Sequence, residues 1–227
     1  MEWPFAAAFR ALRSPREAFA APPPGLGRAV LDMALVWVPL ALLNATWSAI
    51  RGLRVYESLR GGALPVHVLQ WLRLDPGNLQ ELVAALPAPP TFGRLWPWLI
   101  LLVPLGALGT WLHHAVWDHM GLWLLGGLRA ESGFRTTLLA EAQALRFAAV
   151  GTLVGLLGFL PGLGVWLVLP LLLLDAYLWM FRGFALAARH GCEPWQGLGA
   201  TAVHAALLGC GFLGLLALLF AMIRVAP

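Results

Sequence analysis

The chain has no lysine, and charged residues make up only 11% of its 227 positions, where a water-soluble domain carries about 25%. That scarcity excludes an ordinary hydrated surface. Missing lysine with fifteen basic residues leaves every basic side chain an arginine, a compositional bias with no functional content of its own. Cysteine is nearly absent as well. Cys192, in a loop, and Cys210, inside an apolar run, form no CxxC pair, so both read as free thiols. Catalytic signatures are lacking: there is no HExxH, no GxSxG elbow, no glycine-rich phosphate loop and no serine at a recognisable spacing from a histidine. No enzymatic activity and no cofactor are expected. The net charge of +4 does not point to nucleic acid, because the arginines flank apolar runs and do not gather on one polar surface.

What is present is hydrophobicity, 60% of the residues, spread from end to end. It predicts a single all-α membrane domain, a polytopic bundle of about five transmembrane helices, at 29–50, 95–120, 138–160, 165–187 and 198–223. Residues 1–28 precede it, with Phe5, Phe9 and Leu12 at helical spacing beside Arg10, Arg13 and Arg16, the pattern of a short interfacial helix. The apolar run from Ala29 is read as retained and not as a cleaved leader. Residues 51–94 are mixed in character and are expected to form a surface loop, with a short helix from Asn78 to Leu86. Leu95 to Leu128 is too long for one simple span, at about 51 Å if fully helical, so the span is expected to protrude or to bend near His113 to His119. Pro161 to Gly164 supplies a tight uncharged turn that makes the third and fourth spans an antiparallel hairpin, and Gly151 and Gly155 offer the third span a GxxxG face. Arginine counting over the short loops favours a cytoplasmic N-terminus.

Ionisable residues inside the spans carry the chemical interest, since each costs about 2.5–3.5 kcal/mol near the bilayer centre. Asp118, His119, Glu141, Arg146, Asp175, Arg182 and His204 form a candidate polar layer toward the cytoplasmic side. Arg146 and Asp175 flank the turn at nearly equal distance, which predicts an ion pair across the hairpin. A hydrated cavity between helices is one reading of the layer; the simpler one has the arginines snorkelling and the histidines meeting backbone carbonyls. His114 and Asp118, at i and i+4, share a helix face and are ligand types, but two ligands do not make a metal site, and none is expected.

Several short motifs resemble the Yip1 family of five-span membrane proteins, including its bacterial members. Ser14, Pro15 and Phe19 are similar to the SPxxxF-like stretch before its first span. His119 followed by Gly126 and Gly127, then Gly133, Phe134 and Thr137, resembles its H-x6-GG loop and third-helix start. Pro161, Gly164 and Trp166 resemble its PxxGxW turn, and Gly183 with His190 and Gly191 resembles the segment before its last span. Where an aromatic is expected in the third helix, this chain reads Ala-Glu-Ala-Gln-Ala from Ala140. The resemblance implies a non-enzymatic multi-pass protein of a bacterial inner membrane, acting by assembly with itself or with other membrane-associated proteins. The alternative from the residues themselves is a proton-linked or ion-conducting transporter using Asp175 and the polar layer.

Overall fold

The computed structural model describes residues 11–61, 85, 87–160 and 164–225, and every regular element among them is helical. A four-residue helix α1 (Pro15–Ala18) is followed by α2 (Leu26–Arg60), α3 (Phe92–Leu124), α4 (Phe134–Leu157), α5 (Gly164–His190) and α6 (Pro194–Val225). The last five are long and apolar enough to cross a membrane, and the chain is an all-α, multi-pass membrane protein.

Two boundaries differ from the sequence reading. Helix α2 has 35 residues, about 52 Å, and continues through the arginine-bearing stretch Arg51 to Arg60 that was expected to be loop. With α3 already helical at Phe92, the expected loop 51–94 is shorter at both ends; its middle, with most of the expected short helix from Asn78, lies outside the described residues. Helix α3 also runs through His113 to His119 without a break and stops at Leu124. The stop is made by glycine: Gly126 has φ +67°, and the Gly127 amide donates to the Leu122 carbonyl at 2.8 Å. Gly191 (φ +62°), with the Cys192 amide on Ala187 O at 3.1 Å, ends α5 in the same way. Pro194 then opens α6, where its missing N–H is not needed.

The chain divides into two compact units, each described on its own. Residues 41–105 form one, within which the Tyr56 hydroxyl donates to Pro87 O at 2.7 Å. Residues 1–40 and 106–227 form the other, in which α5 packs against α4 and α6. Its core is small and aromatic: Ala140, Ala144, Ala185 and Ala200 let helices approach, and Phe19, Phe147, Phe181 and Leu186 fill between them. A second cluster joins Met33 to Trp111 and Leu145. The Trp111 indole donates to Leu138 O at 2.9 Å and ties α3 to α4.

The segment before the first span does more than lie at an interface. Phe19 is 4% exposed, its ring 6.5 Å from Phe147 and 5.1 Å from Phe181, while the Tyr177 hydroxyl donates to Leu12 O and Arg189 donates to Ala21 O. Phe19→Ala is expected to remove about 3 kcal/mol of packing and release the segment. Limited trypsin digestion reads this directly, as faster cleavage after Arg13 and Arg16.

Candidate intramembrane ion site

Two short links, residues 125–133 and 191–193, bring the C-terminal ends of α3 and α5 and the N-terminal ends of α4 and α6 to one end of the unit. Asp118, Glu141, Arg182 and His204 therefore lie at similar depth, roughly 9–15 Å in from those helix ends. All four face inward: they are 0%, 0%, 4% and 1% exposed.

Arg182 is the hub. Its Nε donates to Glu141 Oε2 at 2.9 Å, its Nη2 donates to Asp118 Oδ2, and its guanidinium carbon sits 4.5 Å from the centre of the Trp179 ring. It does not snorkel, because both carboxylates meet it inside the bundle. His204 Nδ1 lies 2.7 Å from Asp118 Oδ1, and its Nε2 is 3.3 Å from His113 Nε2. Trp117 stacks on the His204 ring with centroids 6.3 Å apart, and Trp179 is tilted against it at 5.2 Å. These indoles hold the imidazole in place and keep lipid from it.

Close backbone approach makes this possible. A Cβ added to Gly121 would come within 2.8 Å of the Ala200 backbone, and one on Gly183 within 2.8 Å of Leu198 Cα. Only glycine lets α3 and α5 come this near α6, and these contacts sit within one helical turn of Asp118 and Arg182.

The charges do not balance. One guanidinium faces two carboxylates, so with both ionised and the histidines neutral the cluster carries one net negative charge. A buried charge at this depth is neutralised either by a proton or by a bound cation. Glu141 Oε1 and Arg182 Nη1 are buried without a hydrogen-bond partner among the described residues, as is His114 Nδ1.

A second polar group lies one turn nearer the helix ends. The Thr137 hydroxyl sits 2.8 Å from His119 Nδ1 and 2.9 Å from His190 Nε2, so it donates to one ring and accepts from the other. Thr137 and Glu141, at i and i+4, share a face of α4, which aligns the two groups in depth.

The structure thus brings together Asp118, Glu141, Arg182 and His204, and places His119 in the neighbouring group. Arg146 and Asp175 are both exposed, and no ion pair within 4 Å joins them. Arg146 lies over the Phe147 ring at 4.7 Å, and a Cβ on Gly151 would meet Asp175 Oδ1 at 3.2 Å. Equal distance from a turn sets height, not rotation: Glu141 and Arg146 are about 140° apart around α4, so only one can face Arg182. Thr137, His190, His113 and His114 were not included in the expected layer. The recurrence of polar residues at one depth was the available signal for the first two.

At the same end of the unit, burial raises the Cys192 thiol above its usual range. Maleimide labelling of Cys192 near neutral pH is expected to be slow and to accelerate as pH rises, since the thiolate is the reacting form. Fast labelling at pH 7 would show that this link does not pack as described.

Compared with known proteins, the chain matches no family model, no curated protein and no solved structure.

Proposed function

We propose that the protein is a non-enzymatic cation transporter, proton-linked or ion-conducting, of a bacterial inner membrane, with its N-terminus in the cytoplasm. One observation carries this reading: a fully buried cluster inside a membrane bundle sets two carboxylates against one arginine and so holds a site for one positive charge. Ionisable groups that face a bundle interior in membranes mark ion pathways. The Thr137, His119 and His190 group lies between that cluster and the near helix ends, and gives an entering cation polar partners on the way. Asp175 plays no part in this path, because its side chain is exposed and remote from the cluster's hydrogen bonds.

The test is flux in proteoliposomes over a panel of protons, sodium, potassium and divalent metals. Uptake of at least one cation, lost in Glu141→Gln and retained in Arg146→Gln, is the expected result. Absence of flux for every cation in protein that remains monodisperse would sink the transport reading.

A second reading, assembly of the kind the Yip1-like motifs imply, is favoured by Asp175 itself. It lies about 16 Å into α5 and is exposed there, and a carboxylate facing lipid at that depth costs about 2.5–3.5 kcal/mol. A second copy offering a cation or donors would relieve this. Mass measurement in native nanodiscs should then show a dimer or larger species that Asp175→Leu dissociates; a wild-type monomer would dispose of the idea.

A further inference from the structure

The transport reading leaves the identity of the cation open, and the residues around His204 narrow it. His114, Asp118 and His204 each offer a ligand atom, all within 4.8 Å of one another. They come from two helices: His114 and Asp118 stand one turn apart on α3, and His204 faces them from α6. One of these separations is the 2.7 Å between His204 Nδ1 and Asp118 Oδ1. His114 supplies the independent sign that something belongs there, because its Nδ1 is buried with no hydrogen-bond partner among the described residues. In the tautomer protonated on Nε2, that nitrogen is a free lone pair, which is what a metal takes.

We propose that His114, Asp118 and His204 form a binding site for a divalent transition-metal ion of the zinc class, with His113 holding the outer nitrogen of His204. This rests on the proposed role of the cluster as a cation site and names the class of cation. Two imidazoles and one carboxylate are the ligand types of zinc and its neighbours, whereas magnesium and calcium prefer oxygen throughout. Three protein ligands leave a fourth position open, as suits an ion that must arrive and leave. Ligand bonds of about 2.0–2.2 Å place tetrahedral ligand atoms about 3.3–3.6 Å apart, so loading draws the widest pair together by at most about 1.5 Å and opens the His204–Asp118 pair by somewhat under an ångström, both within reach of side-chain rotation.

The surroundings fit a metal-bound His204. When its Nδ1 binds the ion, its Nε2–H is free to donate to His113 Nε2, 3.3 Å away, the outer contact that ligating histidines make elsewhere with carboxylates or carbonyls. Arg182 holds the other oxygen of Asp118, which fixes the carboxylate and leaves Oδ1 for the ion. Trp179 lies against both the His114 ring, at 5.4 Å, and the His204 ring, at 5.2 Å, so the imidazoles are preorganised. A divalent ion takes the cluster from one net negative to one net positive charge, and an anionic fourth ligand such as chloride or hydroxide restores neutrality.

The experiment is metal binding by purified full-length protein in detergent, with any affinity tag removed, using zinc for stoichiometry and cobalt for its visible ligand-field bands. About one ion per chain is expected, with a tetrahedral cobalt spectrum. His114→Phe keeps the ring volume beside Trp179 and does not touch the Arg182 ion pairs, so it is expected to fold and to lose binding. His113→Phe should weaken it by about 10- to 100-fold, the usual effect of removing a partner of a ligating histidine. Arg146→Gln, at an exposed side chain outside the cluster, should leave binding unchanged. Zinc that fails to bind wild-type protein, or binds equally well to His114→Phe, overturns the site. Failure here is separable from failure of the transport reading: proton, sodium or potassium flux without metal binding removes the metal and keeps transport, while stoichiometric metal without any flux keeps the site and removes transport.

Discussion

Arg182→Met is expected to be among the most damaging single substitutions in the chain, with a loss of about 3–5 kcal/mol and a fall of about 10 °C or more in thermal midpoint in detergent. Removing the guanidinium leaves Asp118 and Glu141, both 0% exposed, facing each other without a counter-charge. The decisive measurement is the recovery, not the loss. Adding Asp118→Asn and Glu141→Gln to Arg182→Met removes both charges and should restore much of the stability, since a buried ion cluster exchanged for neutral groups of similar volume is often close to neutral overall. A coupling above about 1 kcal/mol between Arg182→Met and Glu141→Gln would establish the pair as a unit. Independent, additive effects would mean that Arg182 reaches water or headgroups by snorkelling. The sign of the recovery also separates structure from function: a triple variant that is stable and yet carries no cation shows that the charges are kept for binding and not for the fold.

The fold was readable in the sequence because the bilayer simplifies the problem. Spans must be apolar over about 20 residues and their backbone must be helical, so hydropathy alone locates them. The helix ends at Gly126 and Gly191, where a left-handed residue closes α3 and α5, were not read as such; the two glycines stood out only within family-like motifs. Length was misread after Ile50 and left open at α3. Arginines after Ile50 suggested a loop, but nothing there breaks a helix, and α2 continues past the hydrocarbon to Arg60. The polar residues from His113 to His119 suggested that α3 protrudes or bends there; the helix runs on intact, with Asp118 and His113 hydrogen-bonded to α5 and α6 and the His114 ring against Trp179 and His204. The site was readable in depth but not in rotation. Asp118, Glu141, Arg182 and His204 share a level that can be counted from the loops; which of Glu141 and Arg146 meets Arg182 depends on how α4 is turned, and that is set by Ala140, Ala144 and Phe147 packing against Phe181 and Ala185. The metal ligands were hidden for a related reason. His114 and Asp118 are one turn apart and visible as a pair, but the third ligand arrives from 86 residues beyond Asp118, where no local spacing announces it.

Gly197→Ala, a single added methyl group, is expected to cost about 1–3 kcal/mol and to abolish cation binding together with stability. The new Cβ would fall on the carbonyl oxygen of Gly183 and within 2.9 Å of the Ala187 amide nitrogen. Both are backbone atoms of α5, so no side-chain rotation relieves the clash, and α6 must move away. Gly197 and His204 are seven residues apart and share a face of α6, so that displacement carries the imidazole off Asp118 and past the reach of His114. Gly155→Ala is the matched control: a Cβ there meets nothing within 4 Å, and the exchange should be neutral or stabilising by about 0.5–1 kcal/mol through helix propensity. Thermal midpoints and zinc stoichiometry for the two variants settle whether the helix contact builds the site. If Gly197→Ala loses stability but still binds zinc with wild-type affinity, the α5–α6 contact supports the fold alone and His204 is positioned by its own partners, Trp117, Trp179 and Asp118. If both fall together while Gly155→Ala is unaffected, the glycine contact is the element that sets His204 against α3, and the geometry of the ion site is a consequence of helix packing.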